Sequence, residues 1–447
     1  MNKTSNLIER DAEVLADVMK LRFYPITAES AEGVRIRDIN GKEFLDFSAG
    51  WGVVNTGYGH PRILKAIYEQ AEKISFASTI SVINEPSVRL AEELTALIPG
   101  DFKKKVWYGH SGSDANELIA KIAPMATGKP RILTFVGSYH GQTAGSCAMS
   151  GHPAQSWFSG GGNVTKLPYP YCYRCAFGKE KETCGLFCAE YIRNYVLDIV
   201  CPAKQTGAIV IEAVQCDGGD VAPPKGFLKA LEAICKEKDI LLILDEVKIG
   251  FGRTGRMFGF EWEEIVPDAV IMAKPMASGQ PLSAVVGRSE LLDAGIGLHL
   301  FTTAGNPTAC RTALETISII KDEALCQNAE KMGIYFKQKL EALQSRYAEI
   351  GDVRGQGLVL GMELVKPDEE NAPDERLTSL VVYRAWELGL LIYDTGLYSN
   401  VLEFTPPLII TEEDVDQAVN ILEQALCDAL EGKITEEKLA DYAGWNS

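Results

Sequence analysis

The sequence predicts an α/β protein: a large domain on a mostly parallel sheet with helices on both faces, joined to a smaller α+β domain. Three observations predict it. First, apolar runs bounded by turn residues, RILTFV, GAIVIEAV, ILLILDEV, AVIMA and SAVVG, alternate with helical stretches up to about residue 290. Runs of this kind suit strands buried on both faces. Second, from about residue 311 the pattern changes to long amphipathic helices, CRTALETISIIKDEALCQNAEKMGIYFKQKLEALQSRY. Third, 447 residues with 46% hydrophobic and 23% charged side chains suffice for a major domain and a smaller one.

In chain order, the first sixty residues read as a helix, an antiparallel hairpin around RIRDINGKEFLDF and the Gly-rich run SAGWGVVNTGYGHP. Asn40-Gly41 between two apolar alternations is a hairpin turn signal. Residues 1–60 are assigned to the small domain, 61–310 to the large α/β domain and 311–447 to the C-terminal α+β part of the small domain. The last part holds the strand-like runs GLVLGMEL and NVLEFTP and a helix opening after Thr411. There is no internal repeat or low-complexity linker.

Composition narrows the partners. The formal charge of -17, from 61 acidic against 44 basic residues, comes without a Lys/Arg cluster that would track a phosphate backbone, which argues against nucleic acid. The polar start MNKTSNLIERDAEVLADVMKLRF has no apolar signal core, and no later stretch has membrane-spanning length, so a cytoplasmic protein is expected. Eleven cysteines cannot all pair, which makes reduced thiols the expectation.

The chemistry concentrates in ILLILDEVKIGFGRTGRMFGFEWEEIVPDAVIMAKPMASGQPLSAVVG. Asp245 ends one apolar strand and Lys274 the next, so neighbouring parallel strands would bring both to the rim where α/β enzymes bind ligands. Pyridoxal 5'-phosphate (PLP) needs this pair: a lysine for the Schiff base, and a carboxylate that keeps the pyridine nitrogen protonated so that the ring draws electrons. Singly, each residue has an ordinary reading, since a lysine after a strand is usually solvated.

The run resembles the class III aminotransferase family of PLP fold-type I enzymes, whose pattern is DE-V, G-x-x-R-T-G, P-D and K-x-x-x-x-G-x-P-L. The resemblance extends over nearly the whole chain. It implies a seven-stranded type of sheet and a homodimer with shared active sites, with higher assembly open. Gly112 and Ser113, in HSGSDANE, match the phosphate-binding turn, consistent with small residues exposing N–H groups at a helix N-terminus. Tyr139, in Ser138-Tyr-His-Gly, matches the aromatic that stacks on the pyridine ring. Thr302, in TTAGNP, matches a threonine that reaches the phosphate of the neighbouring subunit.

Three positions depart from the transaminase pattern. Glu403, in NVLEFTPPL, stands where the family usually has the Arg that pairs with a substrate carboxylate; the alternative is that Arg354 or Arg311 takes that task. Lys248, in Asp245-Glu-Val-Lys, stands where Gln usually bonds the phenolic oxygen of PLP; otherwise it points to solvent. Asp217, in EAVQCDGG, follows a strand on the same rim and is either a second base or a turn former. Together they resemble the α-amino-ε-caprolactam racemase branch, and Asp217 is similar to the second catalytic residue of the isoleucine 2-epimerase branch. The expected activity is inversion at Cα of an amine without a free α-carboxylate, an amino-lactam or amino-acid amide, by Lys274 and Asp217, with Asp245 on the ring nitrogen. Trp51 and Glu403 are the substrate-contact candidates. The alternatives are a transaminase of an ω-amine or amino acid, a PLP lyase on an amino alcohol derivative or aminophosphonate, and a catalytically dead scaffold.

A further segment departs from the racemase branch. Cys172, Cys175, Cys184 and Cys188 have spacing compatible with zinc or an iron–sulfur cluster, although four reduced thiols in a surface insertion is the favoured reading.

Overall fold

In the computed structural model of this chain, residues 3–156, 161–439, 442 and 444–446 are described. The five apolar runs become the strands Arg131–Phe135, Thr206–Glu212, Leu241–Asp245, Ala269–Met272 and Ser283–Arg288. All seven residues of Thr206–Glu212 are buried, which is why that stretch shows no alternation.

Two further strands, Lys104–Gly109 and Val164–Leu167, close the edges of the seven-stranded sheet. The order is Lys104–Gly109, Ser283–Arg288, Ala269–Met272, Leu241–Asp245, Thr206–Glu212, Arg131–Phe135, Val164–Leu167. Ser283–Arg288 runs antiparallel to both its neighbours, and the other pairs are parallel. The edge strands carry Lys104, Lys105 and Lys166, as edges exposed to water tend to, and so lack the apolar signature of the centre.

The register sets the site. Glu212 is level with Asp245, and Asp245 with Ile271, so the strand ends form one rim. Lys274 follows two residues past Met272 on the same rim.

The two ends of the chain meet in smaller sheets. Ala28–Glu32, Arg35–Asp38 and Glu43–Asp46 form a sheet that Leu390–Leu391 joins in parallel. A second sheet orders Ile350–Gln356, Val359–Lys366, Val401–Phe404 and Tyr393–Thr395. Phe336 meets Phe47 edge-on at 5.4 Å and Phe404 at 5.1 Å, which binds the two ends through one core.

In the hairpin, only Gly41 of the Asn-Gly pair takes a positive φ, +85°. Asp38 closes the turn instead, its carboxylate accepting from the Asn40 and Lys42 N–H groups at 2.9 and 2.8 Å. The helix Pro307–Asp322 runs unbroken through residue 311 and packs on Pro61–Lys73 and Glu85–Leu97. Among the described residues, no helix is long and apolar enough to cross a membrane.

Candidate active site

A cavity of about 400 Å³ opens at the carboxyl rim of the sheet, and Lys274, Asp245, Tyr139, Gly112, Ser113, Asp217 and Lys248 all line it. Lys274 has φ +32°, a region that side-chain-bearing residues rarely adopt and that packing must enforce. Burial pushes its amine below the usual lysine range, and the Lys248 ammonium pushes the same way, while Asp217 opposes them. An amine that gives up its proton readily is the nucleophile a carbonyl cofactor needs.

Asp245 is held from three sides. Its Oδ2 accepts from Asn116 Nδ2 at 2.8 Å and lies 2.7 Å from His140 Nδ1; its Oδ1 accepts from the Val247 N–H at 3.0 Å. An ionised carboxylate only accepts, so Nδ1 of His140 is assigned the proton. That leaves His140 Nε2 and Asn116 Oδ1 buried without partners, as is Glu212 Oε2 across the rim. His140, Asn116 and Glu212 have no role in the sequence reading above, although His140 adjoins the ring-stacking candidate Tyr139, Asn116 lies in HSGSDANE and Glu212 opens EAVQCDGG.

The cradle is the start of the helix Gly112–Thr127. Ser111 caps it by accepting from the Asp114 N–H, and Asp114 answers with a bond back to Ser111 N–H. A Cβ on Gly112 would stand 2.8 and 2.9 Å from the two methyls of Val247, which also lines the cavity. Gly112→Ala is therefore expected to cost about 1–3 kcal/mol of stability through overpacking. It should also weaken cofactor binding roughly tenfold, about 1.4 kcal/mol, read by fluorescence titration of the apoprotein beside its thermal midpoint.

Thr302 is exposed and lies outside this chain's cavity lining; its carbonyl accepts from Ser78 Oγ at 2.9 Å. Its neighbour Thr303 is nonetheless 2.7 Å from Nε2 of His110, which does line the cavity.

The three departures form one buried cluster. Lys248 is 7% exposed, so the solvent-pointing alternative does not hold. Its Nζ donates to Asp217 Oδ1 at 3.1 Å and to Glu403 Oε1 at 2.5 Å. Burial alone would lower its pKa, but the two carboxylates outweigh burial and raise it well above the usual range. Burial likewise disfavours the charge on Asp217, and Lys248, Lys274 and His152 overcome it and hold the carboxyl down at about 2.

Neither substrate-contact candidate belongs to the cavity lining. Glu403 sits behind Lys248, 1% exposed. Trp51 stacks on Tyr393 at 4.3 Å and lies under the Lys248 ammonium at 5.3 Å. The replacement arginines are also committed elsewhere. Arg354 is bonded to Asp352, Glu363 and the Gly219 carbonyl, and Arg311 pairs with Glu315.

Cys172, Cys175, Cys184 and Cys188 share the lining of a separate cavity of about 20 Å³. Among the described residues, no three His, Cys, Asp or Glu side chains are arranged to hold a metal ion.

A lysine in a strained turn, a carboxylate fixed by three donors, an aromatic beside them and a helix N-terminus share one cavity. Unpartnered buried polar atoms, His140 Nε2, Asn116 Oδ1 and Glu212 Oε2, stand beside them, as a polar ring cofactor would need. Fold and cavity together define a PLP-dependent enzyme. The chain belongs to the aminotransferase class-III family, whose model matches residues 18–426.

It is 37% identical to the alanine/serine racemase of Pyrococcus horikoshii, over 98% of this chain and 94% of that protein. It is 38% identical to the leucine/methionine racemase of Thermococcus litoralis, over 99% and 100%. The 4-aminobutyrate aminotransferase GabT of Escherichia coli is 36% identical over 96% and 100%. Among solved structures, the PLP-bound amine transaminase of an uncultivated Pseudomonas species superposes with a TM-score of 0.84 at 28% identity, covering 90% of this chain and 95% of that one.

Proposed function

We propose that the protein is a racemase or epimerase that inverts Cα of an amino compound by two-base proton transfer between Asp217 and Lys274. The observation that carries this reading is that both line one cavity, with Asp217 kept ionised and Lys274 made readily deprotonated. The cofactor supplies an electron sink conjugated to Cα.

The residues do the rest. Asp245, clamped by Asn116 and His140, would keep the sink protonated. Tyr139 would orient the ring, and the Ser111–Ser113 turn would anchor the phosphate. Asp217 takes the proton from one face of Cα, breaking C–H and forming O–H on its carboxyl. The Lys274 ammonium returns a proton to the opposite face, and the same two groups run the reverse reaction from the enantiomer. No oxidant or co-substrate enters.

Two observations bear on the substrate. Among the described residues lining the cavity there is no arginine, which favours an amino-lactam or amino-acid amide over a free α-carboxylate. The relatives' names, alanine/serine racemase and leucine/methionine racemase, favour free neutral amino acids. The second reading is transamination, supported by the likeness to the 4-aminobutyrate aminotransferase. The active unit in either reading is proposed to be a dimer in which Thr302 serves the neighbouring subunit.

The test is deuterium incorporation at Cα in D2O, without any keto acid, for free alanine, serine, leucine and methionine and for an amino-lactam and an amino-acid amide. Incorporation with loss of optical activity is expected. Retention of optical activity until pyruvate or 2-oxoglutarate is added would overturn the racemase reading for transamination, and release of ammonia would overturn it for elimination.

A further inference from the structure

Behind Asp217 lies a layer of buried acid that the proton transfer proposed above does not use. Glu403 bonds Lys248 through Oε1, while its Oε2 is buried without a partner. Asp220, three residues past Asp217 in the same tight Gln215–Val221 turn, is fully buried, and neither of its carboxyl oxygens has a partner. Its φ of +53° shows that the turn holds it in place against its own preference.

Gly361 brings the two acids together. It is the register partner of Glu403, and a Cβ on it would stand 3.0 Å from Asp220 Cβ and 3.2 Å from Asp220 Oδ2. Two adjacent buried carboxyl groups have three unpartnered oxygens between them, and the ammonium at hand is already shared with Asp217. They cannot both be ionised. Burial first, and the Glu403 carboxylate with it, push the Asp220 carboxyl well up.

The surrounding charges do not alter this. Arg354, which also faces Asp220, gives its Nη1 to Asp352 and Glu363 and its Nε to the Gly219 carbonyl, while its buried Nη2 bonds neither Asp220 oxygen. Glu403 is further faced by Asp394, whose carboxyl burial and Glu403 push well up, and by Arg253, Lys274 and Tyr393. Arg253 gives its Nη atoms to the Leu358 and Pro406 carbonyls and Asn55 Oδ1, and its buried Nε has no partner. Cys216 lies beside Lys248 as a neutral thiol, its pKa raised by burial. Asp217 itself is faced by Lys248, Lys274 and His152 and lies near Glu212 and Tyr139.

We propose that Asp220 and Glu403 hold one proton between them and act as positioning residues for Asp217, their single negative charge drawing Lys248 partly off the Asp217 carboxylate so that it remains basic enough to take the Cα proton. The inference rests on the two-base reading. Without the Glu403 charge, Lys248 would settle on Asp217 alone, and a carboxylate already held low would become a poorer base.

The experiment uses the holoenzyme and each enantiomer of a substrate it racemises, with initial deuterium incorporation from D2O followed separately from each. Asp217→Asn identifies the enantiomer whose proton Asp217 removes, because incorporation from that one is lost. Glu403→Gln is expected to slow that incorporation about tenfold while the Lys274-side enantiomer stays within about twofold. Asp220→Leu, which can neither hold nor donate the shared proton, should move the acid limb of the Asp217-side rate up by about one pH unit. Asp220→Asn, whose amide still donates, should restore the limb, and this pair decides the question if Glu403→Gln does not fold. Equal slowing of both enantiomers in Glu403→Gln, or a limb that Asp220→Leu leaves in place, would overturn the inference with the two-base reading intact. If Asp217→Asn leaves both incorporations unchanged, the two-base reading falls, and the inference with it.

Discussion

Lys274→Ala is expected to abolish the visible absorbance band of the lysine-bound cofactor and to lower turnover by about 10³-fold or more, since it removes both the nucleophile and one of the two bases. The cavity holds two lysines with opposite tuning, and that contrast sorts their roles. Lys274 is pushed toward the free amine by burial and by its cationic neighbour. Lys248 is locked as an ammonium between Asp217 and Glu403. A protonated amine has no lone pair to offer a carbonyl, so Lys248 should not substitute for its neighbour. Persistence of the band in Lys274→Ala, with loss in Lys248→Ala, would reverse the assignment. Absorbance and borohydride trapping of the purified variants distinguish the two outcomes.

The second large effect is expected from Asp217→Asn. Racemisation should fall by about 10²–10⁴-fold, the range for loss of a positioned acid or base. Solvent exchange at Cα of the enantiomer that Lys274 deprotonates should persist without inversion. The amide keeps the size of the side chain and accepts from Lys248, so the cavity should survive the change. Chiral chromatography and mass spectrometry of the same reaction separate inversion from exchange. Equal loss of both would mean that Asp217 matters for binding or folding rather than for one face of Cα.

Much of the fold was legible because its signals are local. Strands covered on both faces must be apolar throughout, and five such runs stand in the sequence where five central strands stand in the structure. Thr411 announces the helix Glu412–Leu430 through a capping box within four residues. The edge strands Lys104–Gly109 and Val164–Leu167 were not legible, since a strand half-exposed to water need not be apolar. Nor was the helix Glu375–Leu388 read from the sequence, where it follows Asp374 and precedes Gly389.

The sequence by itself pointed to the cofactor chemistry of this protein, because Asp245 ends one strand and Lys274 follows the next, their ends sharing one rim, within a run that resembles the class III aminotransferase pattern. It also marked Asp217, Lys248 and Glu403 as unusual for the family. Only the tertiary structure decided what those three residues are to one another. Lys248 meets Asp217 across 31 positions of sequence and Glu403 across 155. No local pattern records such a meeting, because the charge state of each group depends on burial and on which opposite charge lies within a few ångströms. The cation at Lys248 lines the cavity rather than pointing to solvent, and it is paired there with two acids, Asp217 and Glu403.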